Sequence, residues 1–443
     1  MLSIREILQR LGLSLRKGGG RRFYLPIIAL LCAAALGSWF MMRPSEAEWT
    51  ADALYYVKPN GSGDGNGSSW ANAMSGTAFS TKLKEINAAN DGKAYEFRVA
   101  KGIYEQSETL RLPKGVKLYG GFAGTETTAE EIEARDIAKN VTTLSRDAAA
   151  ASDANFSIVT VGMNATSADT RFDGFTVTGG KNDNGGGMYI TYGAPTIANC
   201  TFSGNSADSR GDRALGGGMY IIGGSPIIEN CIFAGNSAQG YSNAHGGGMY
   251  IVEGSPVIEN CTFTDNSASH PGTNACGGGM YVRNGSPIVK NSTFSGNSSK
   301  YDTARGVGMY LAGSGTTAVV NCTFSGNNAP GGANGGGMCV SDSAGAAVTN
   351  CTFSGNSAGT GGGISVQSDA NVAAANSVFY GNTASVSGKE ISVSTATLTL
   401  QNCIAAEGGV TNDKGTITST DLYTGNPKFL TASPDNNGGT VPT

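Results

Sequence analysis

A repeat unit of about 30 residues occupies more than half of this chain and constrains its fold more than any other feature. One copy runs from Gly216 to Ala238 with the sequence GGGMYIIGGSPIIENCIFAGNSA. A period between about 20 and 50 residues is typical of a solenoid, a propeller or another array. The methionine after the glycines marks the period, at Met188, Met219, Met249, Met280, Met309 and Met338, with Ile364 as a degenerate copy.

Each copy also keeps an Asn-Cys pair, a phenylalanine two residues after the cysteine, and an asparagine three residues after that phenylalanine. In the copy above these residues are Asn230, Cys231, Phe233 and Asn236. The pair recurs at Asn199-Cys200, Asn260-Cys261, Asn321-Cys322, Asn350-Cys351 and Asn402-Cys403, with serine in place of cysteine at Ser292 and Ser377.

The residues between these fixed positions indicate short strands. Runs such as Met219-Tyr220-Ile221 alternate with period two, and Gly-Gly-Gly and Gly-Ser-Pro separate the runs. A propeller blade needs about 40–45 residues, which is longer than this repeat. We therefore predict an all-β fold, a single right-handed parallel β-helix (a solenoid) with a short helical N-terminal cap. Each repeat is then one coil, and equivalent residues lie about 4.8 Å apart on successive coils.

Stacking between coils explains which residues recur. Met188, Ile190, Ile197, Cys200 and Phe202 are expected to point inward, and burial of an Ile or Phe side chain is worth about 1.5–3 kcal/mol. The recurring asparagines are expected to hydrogen-bond to one another in an amide ladder. We interpret the cysteines in this register as a column of buried thiols, because the period accounts for them without disulfide bonds.

The N-terminal segment, residues 1–47, reads as a signal peptide or an N-terminal membrane anchor. Basic residues precede an apolar run from Phe23 to Met42, and small residues follow it up to Ala47. Twenty apolar residues can span a bilayer, so both interpretations stay open, and we favour cleavage after Ala47. Membrane contact is expected only through residues 23–42, and the repeats are expected to be extracytoplasmic, either secreted or at the cell surface or outer membrane.

Three further segments follow from the pattern. Residues 48–146 are predicted to form the N-terminal cap and first coils, because a solenoid must cover the apolar end of its first coil. The cap contains a helix at Phe79–Asn90, with Phe79, Leu83, Ile86 and Ala89 on one face, and a second short helix at Thr127–Ala138. Residues 147–410 are the repeat coils. Residues 411–443 are expected to form a terminal coil and a C-terminal segment, and either the sequence is truncated at Thr443 or the leader is the only membrane device.

Several motifs resemble a known family. The stretches Tyr56–Gly65, Val99–Tyr104 and Val116–Glu126 resemble the opening of bacterial extracytoplasmic right-handed β-helix proteins of the pectin-lyase-like superfamily. The repeat resembles the polymorphic outer-membrane protein repeat, and Asn426–Thr443 resembles the entry to a variable C-terminal anchor region. The resemblance implies the fold but no particular activity. Lyases of this superfamily use clustered Asp and Glu for Ca²⁺ with an Arg or Lys base, and no such cluster stands out on the strands here.

Length variation between repeats is concentrated in the loops before each glycine triplet. Insertions in solenoids map to one face, which is often the binding face. His245 and Cys276 each precede a triplet and are expected to stack, so a metal site with His270 competes with the simpler interpretation of a solvated loop face. The candidate binding residues in these loops are Tyr241, His245, Tyr301 and Arg305.

A ladder of tyrosines follows the repeat methionines and is expected to point outward. Stacked rings on an open face could hold sugar rings or a partner chain. The alternative is that the rings stack on one another and stabilise the sheet. The residues are Tyr189, Tyr220, Tyr250, Tyr281 and Tyr310.

Glu229 and Glu259 share one outward register with Lys290. Two carboxylates about 5 Å apart match the spacing in a retaining glycosidase, and they could also bind Ca²⁺. The alternative is that Lys290 compensates their charge and that the pair has no chemical role.

Charge and composition narrow the function further. The net charge is −4, which indicates no basic patch and therefore no nucleic-acid partner. We expect a monomeric, non-catalytic β-helix with an adhesive or surface-interaction role, whose ligand is a polysaccharide or a surface protein. The alternative is a polysaccharide lyase or glycoside hydrolase. We expect no cofactor, with Ca²⁺ as the one ion to test.

Overall fold

The computed structural model describes residues 50–147, 155–209, 213–240, 242–269, 275–299, 304–329 and 332–424. Throughout these ranges the chain winds as a parallel β-helix. Three long parallel sheets run along the described coils, and a typical coil contributes one strand to each. The predicted leader, residues 1–47, lies outside the described residues. No helix in the described ranges is both long and apolar enough to cross a bilayer.

Sheet I begins in the cap and buries a column of aliphatic side chains that includes Ile197, Ile228 and Ile258. Its outward positions include Glu229 and Glu259, which are directly paired. Its strands in spatial order are Ala53–Val57, Tyr95–Ala100, Val116–Phe122, Arg171–Asp173, Thr196–Ala198, Ile227–Glu229, Val257–Glu259, Ile288–Lys290, Thr316–Val320, Gly345–Thr349, Asn371–Ala375, Thr397–Gln401 and Thr416–Thr420.

Sheet II carries the repeat methionines on its inner side and the tyrosine ladder on its outer side. Met188 pairs with Met219, and Met219 pairs with Met249, so like residues stack as predicted. Its strands are Leu110–Leu112, Val159–Val161, Met188–Thr191, Met219–Ile222, Met249–Val252, Met280–Arg283, Met309–Ala312, Met338–Ser341, Ile364–Gln367, Ile391–Ser394 and Val410–Asp413.

Sheet III buries the repeat phenylalanines in a stacked column. From Phe202 to Phe379, successive ring centroids lie 4.6–5.0 Å apart with interplanar angles of 1–13°. Near-parallel rings at this spacing show that the sheet is almost flat. Its strands are Gly102–Gln106, Thr142–Arg146, Phe175–Thr178, Thr201–Ser203, Ile232–Ala234, Thr262–Thr264, Thr293–Ser295, Thr323–Ser325, Thr352–Ser354, Val378–Tyr380, Ile404–Ala405 and Tyr423–Thr424.

Shorter sheets come from the loops before the glycine triplets. They pair in parallel from coil to coil, so these loops continue the stacking order of the long sheets. Their strands are Lys181–Asn182, Ser206–Ser209, Ser237–Gly240, Ser267–Ser269 and Ser298–Ser299 in one sheet, Arg213–Leu215, Asn243–His245 and Ala275–Cys276 in a second, and Ser357–Thr360 with Thr383–Ser387 in a third.

The second recurring asparagine of each repeat forms the predicted amide ladder. Asn236 is fully buried, and its Nδ2 donates to Asn266 Oδ1 at 3.0 Å and to the carbonyl oxygen of Phe202 at 2.9 Å. The ladder runs from Asn205 to Asn382, whose Nδ2 donates to the carboxylate of Glu390 in place of a further asparagine. Each coil is therefore tied to the next by a side-chain bond inside the core.

The cysteine column is confirmed as free, buried thiols. Cys231 Sγ lies 3.6 Å from the carbonyl oxygen of Ile197 on the preceding coil, and Cys261 Sγ lies 3.6 Å from that of Ile228. Burial raises the pKa of the Cys231 thiol well above its usual value. The Cys231 thiol is therefore a protonated packing group rather than a reactive nucleophile.

The glycine triplet before Met219 is a steric requirement, whereas Val307 takes the middle position before Met309. Gly216 has a φ of +69°. A Cβ on Gly217 would lie 2.2 Å from the carbonyl oxygen of Ser237, and a Cβ on Gly218 would lie 2.6 Å from that of Gly248. Only glycine lets the backbone of neighbouring segments approach this closely.

Two helices belong to the non-repeating N-terminal part. The cap helix is Gly76–Ala89, with Phe79, Leu83 and Ile86 buried as predicted, while Ala89 is exposed at the last turn. The second helix is shorter than predicted, Ala129–Glu133, and begins with a capping box at Thr128. The chain after this helix is non-helical and returns to the coil.

Candidate functional site

The outer side of sheet III carries two parallel columns of hydroxyl side chains. In Thr201–Ser203, Phe202 points into the core, and the residues on either side of it point outward. The strands are in register, so the outward positions recur on each coil, and from Thr143 to Ser354 they hold threonine or serine on every coil except the one with Ile232 and Ala234. We call this surface the hydroxyl face. Its rows are Thr143 with Ser145, Thr176 with Thr178, Thr201 with Ser203, Ile232 with Ala234, Thr262 with Thr264, Thr293 with Ser295, Thr323 with Ser325, and Thr352 with Ser354.

A column of asparagine amides borders the hydroxyl face at the corner shared with sheet I. Asn260 Nδ2 donates to Asn230 Oδ1 at 3.2 Å, and Asn350 Nδ2 donates to Asn321 Oδ1 at 3.2 Å. These residues have φ values between 52° and 54°, a left-handed conformation that asparagine tolerates better than most side chains. The hydroxyl rows and this border together present uncharged donors and acceptors.

A groove of about 390 Å³ lies at the N-terminal end of the hydroxyl face. One wall is apolar and comes from Ile137 and Val141, and Val141 is 46% exposed. The opposite side is formed by coil residues that include Thr176, Thr201 and Asn230. This volume falls within the range of about 300–1,000 Å³ that is usual for ligand sites. We call this feature the head groove.

The wall of the head groove is anchored by a buried ion pair. Arg135 lies in the insertion that follows the sheet I strand Val116–Phe122, and its guanidinium pairs with Asp173, which is 1% exposed. Arg135 Nη1 also donates to the carbonyl oxygen of Gly120 at 2.8 Å, and the guanidinium lies 5.2 Å from the ring centre of Tyr119. These contacts fix the insertion against the coil and so set the width of the groove.

The tyrosine ladder points away from the main core, as predicted, but it does not form an open face. Loop strands that end at Leu215 and Cys276 pack over the rings and bury them in a second apolar cluster. Successive ring centroids lie 4.9–5.3 Å apart, which is the sheet-stabilising arrangement. The exposed fractions are 8% for Tyr220, 4% for Tyr250, 7% for Tyr281 and 2% for Tyr310, while Tyr189 at the end of the ladder is half-buried.

The expectation of an open aromatic surface is therefore wrong at Tyr220, Tyr250, Tyr281 and Tyr310. The reason is tertiary packing. The alternation of residues along a strand predicts which way a side chain points, but it does not predict which other segment covers that side chain. Burial raises the pKa of Tyr250, which is consistent with a phenol that water does not reach.

Two of the loop candidates, His245 and Arg305, lie beside this second cluster. His245 pairs with Cys276 in register, which confirms the predicted stack, and the His245 ring centroid lies 4.8 Å from that of Tyr281. Arg305 Nη1 donates to the hydroxyl of Tyr310 at 3.3 Å. Tyr241, Tyr301 and His270 lie outside the described residues.

The stacked His245 and Cys276 do not have the character of metal ligands. Cys276 is 4% exposed, and burial raises the pKa of its thiol to about 12. Metals bind the thiolate, which this environment disfavours. Within the described ranges, no group of three or more His, Cys, Asp or Glu side chains is placed to hold a metal ion.

Glu229 and Glu259 are adjacent on sheet I, as their spacing predicted, but each has a cationic partner. Glu259 Oε2 lies 2.8 Å from Lys290 Nζ, and both side chains are almost fully buried. Glu229 Oε1 lies 3.3 Å from Arg171 Nη2. The predicted compensation by Lys290 is therefore confirmed. A buried carboxylate held by an ammonium group is poorly placed to reach a substrate.

Sequence reasoning missed the head groove and two charged residues beside it, Arg171 and Asp173. Arg171 Nε donates to Asp173 Oδ2 at 2.7 Å, which extends the charged column of sheet I toward the cap. Both residues lie in a coil that lacks the repeat motif. The sequence did carry one signal for these two residues. Arg171–Asp173 has one large apolar residue in its centre, as Thr196–Ala198 has, and the structure pairs the two segments in register.

A family model for the right-handed β-helix region matches residues 143–324 and residues 299–430. These overlapping matches together cover more than half of the chain. The chain belongs to the right-handed β-helix family. This assignment confirms the predicted right-handed β-helix, and the finer resemblance to the pectin-lyase-like superfamily stays a prediction. The finer resemblance to polymorphic outer-membrane protein repeats stays a prediction.

Two solved structures are similar to this chain. The pectate lyase Pel9A has a TM-score of 0.37 and 14% sequence identity, with 89% of this chain and 86% of the other covered. PfbA, a surface adhesin of Streptococcus pneumoniae, has a TM-score of 0.34 and 11% identity, with 79% and 88% covered. Both likenesses are too distant to indicate function. No curated protein matches the sequence.

Proposed function

We propose that this right-handed β-helix is a non-catalytic, extracytoplasmic protein that binds a polysaccharide through the head groove. The observation that carries the proposal is the chemistry of the groove. Its wall offers the apolar surface of Ile137 and Val141, and its other side offers hydroxyl and amide groups from Thr176, Thr201 and Asn230. A sugar ring presents apolar C–H surface and hydroxyl groups together, so both sides of the groove have something to contact.

The location outside the cytoplasm rests on the sequence pattern of residues 1–47, a basic segment followed by an apolar run. A secreted or surface-displayed polysaccharide-binding protein needs no cofactor for this role. The uncharged hydroxyl face that continues from the groove favours a neutral polysaccharide over an acidic one.

The test is binding of the full chain to a panel of immobilised neutral and acidic polysaccharides. We expect binding to at least one neutral member, and Val141→Asp should weaken it by about fivefold or more, because the charge interrupts the apolar wall. Val386→Asp is the matched control, since Val386 is 73% exposed and does not line the groove. Binding that Val141→Asp leaves unchanged would remove the groove from the proposal. Capture of a surface protein alone would replace the ligand class.

A second candidate function, a polysaccharide lyase or hydrolase, is favoured by the charged column on sheet I. Asp173, Glu229 and Glu259 lie beside Arg171 and Lys290, which are residue types that such enzymes use. The same polysaccharide panel, incubated with and without Ca²⁺, tests this candidate. New unsaturated or reducing ends made by the full chain, and absent with a heat-denatured sample, would establish the enzyme and contradict the non-catalytic proposal.

A further inference from the structure

Four consecutive rows of the hydroxyl face form a flat, regular array that the head groove does not use. They run from Thr262 with Thr264 to Thr352 with Ser354, and every position in them is threonine or serine. Beneath them the rings of Phe263 through Phe353 are 4.6–4.8 Å apart with interplanar angles of 1–6°. The array is therefore both the most regular and the flattest part of this surface.

Three of the four corners on one side of these rows are glycine, and Asp265 at the fourth accepts a hydrogen bond from the Thr264 hydroxyl at 3.2 Å. On one side the corner residues are Asp265, Gly296, Gly326 and Gly355. Gly326 has a φ of +61°, yet Asp265 occupies the equivalent position at +54°, so the backbone does not demand glycine there. A Cβ on Gly326 would meet no atom within 4 Å. Glycine at this corner leaves open space where any longer side chain would stand above the rows.

The spacing of the hydroxyls fits ordered water. Strands lie about 4.8 Å apart, and outward residues two positions apart along a strand are separated by about 6.7 Å. In a tetrahedral network with O–H···O distances of about 2.75 Å, second-neighbour oxygens lie about 4.5 Å apart, and the perpendicular repeat is about 7.3 Å. Along the β-helix axis, the strand spacing exceeds the spacing of second-neighbour oxygens by about 0.3 Å per row. Over the three steps between four rows, with the lattice centred on the array, each end row is displaced by about 0.5 Å, which is comparable with the spread of hydrogen-bond lengths.

The chemistry of the side chains in the array also fits ordered water. None of the eight side chains is charged or aromatic, so the rows offer no platform on which a sugar ring could stack. Each row has at least one threonine, whose methyl group gives the row an apolar contact beside its hydroxyl groups. We propose that the rows from Thr262 to Ser354 bind the ordered water lattice at the surface of ice. This function is separate from carbohydrate binding in the head groove.

The experiment uses the full chain and ice as the probe. We expect the protein to partition into slowly growing polycrystalline ice and to inhibit ice recrystallisation. Thr323→Lys, in the middle of the array, should lower both activities by about tenfold or more, the loss expected when two or three hydrogen bonds are not made. Thr349→Lys is the matched control, because Thr349 points outward from sheet I on the neighbouring coil and should leave both activities unchanged.

Three outcomes would overturn the inference. The first is exclusion of the full chain from ice to the same extent as an inert protein. The second is an equal loss of activity in Thr323→Lys and Thr349→Lys when circular dichroism shows both variants folded. The third is binding to crystalline cellulose or chitin without binding to ice, which would assign the array to a solid carbohydrate. Val141→Asp keeps the two proposals distinguishable, since it should impair polysaccharide binding and leave ice binding intact.

Discussion

Replacement of Asn297 by alanine should destabilise the β-helix more than any conservative surface change. Asn297 is fully buried in the middle of the amide ladder. Its Oδ1 accepts hydrogen bonds from the backbone N–H and Nδ2 of Asn266, at 3.1 and 3.0 Å. Its Nδ2 donates to the carbonyl oxygen of Phe263 at 2.9 Å and to Asn327 Oδ1 at 2.8 Å. One carboxamide therefore joins three coils.

The expected loss in the free energy of unfolding depends on which of these partners keep another hydrogen bond. Asn327 Oδ1 still accepts from the backbone N–H of residue 297 at 3.2 Å, and Asn266 Nδ2 still donates to the carbonyl oxygen of Phe233 at 2.9 Å. The backbone N–H of Asn266 loses its acceptor, whereas the carbonyl oxygen of Phe263 stays within the hydrogen-bonded ladder between Thr262–Thr264 and Thr293–Ser295. One buried polar group left unsatisfied costs about 1–3 kcal/mol, so we expect Asn297→Ala to cost about 1–3 kcal/mol.

Urea unfolding followed by circular dichroism measures this loss as a lower midpoint concentration. Asn328→Ala is the matched control, because Asn328 is the next residue and its side chain is exposed. Its effect should stay within about 0.5 kcal/mol of zero. If Asn297→Ala and Asn328→Ala unfold at the same urea concentration, the amide ladder does not hold the coils together.

Three further predictions follow from buried ionisable groups. Lys290→Met alone should cost about 3–5 kcal/mol, because it removes the ammonium group that lies against the buried Glu259 carboxylate, and adding Glu259→Met should recover most of that loss in urea unfolding. Burial raises the pKa of Glu390, so the folded protein favours the protonated carboxyl group. The contribution of Glu390 to the free energy of unfolding is therefore complete at a pH below its unfolded-state pKa. This contribution is lost as the pH rises through its folded-state pKa. Thermal unfolding should therefore show Glu390→Gln equal to wild type near pH 4 and more stable at pH 8, and the opposite trend would contradict the assigned cause. Since the pKa of Cys276 is raised to about 12, a maleimide should label it at pH 8 only after unfolding, and rapid native labelling would refute its burial.

The repeat made the coils predictable because stacking imposes the same requirement on each copy. Met219, Cys231, Phe233 and Asn236 recur at fixed intervals, and each occupies the inward or stacked position that its period predicted. The corner residue Asn230 carried a further signal, since asparagine is favoured where φ is positive. Local periodicity thus determined strand direction, register and core.

The candidate site was less predictable because it depends on segments that do not repeat. Tyr250 was correctly oriented outward, but the strand Asn243–His245 that leads into its own repeat lies in the loop layer over the ring. The head groove needs an insertion whose Arg135 meets Asp173, 38 residues away in the sequence. No period links those two residues, so the wall they anchor could be found only from the folded chain.

Hydroxyl-radical footprinting of the full chain with and without bound polysaccharide tests the central functional claim most directly. Exposed aliphatic and aromatic side chains serve as natural probes on different faces. We predict protection at Val141 and Ile232, which are 46% and 43% exposed and line the head groove. Tyr192 and Val386, which are 54% and 73% exposed elsewhere, should stay fully reactive. Protection at Tyr192 with unchanged oxidation of Val141 and Ile232 would contradict the claim and move the binding surface to another side of the β-helix.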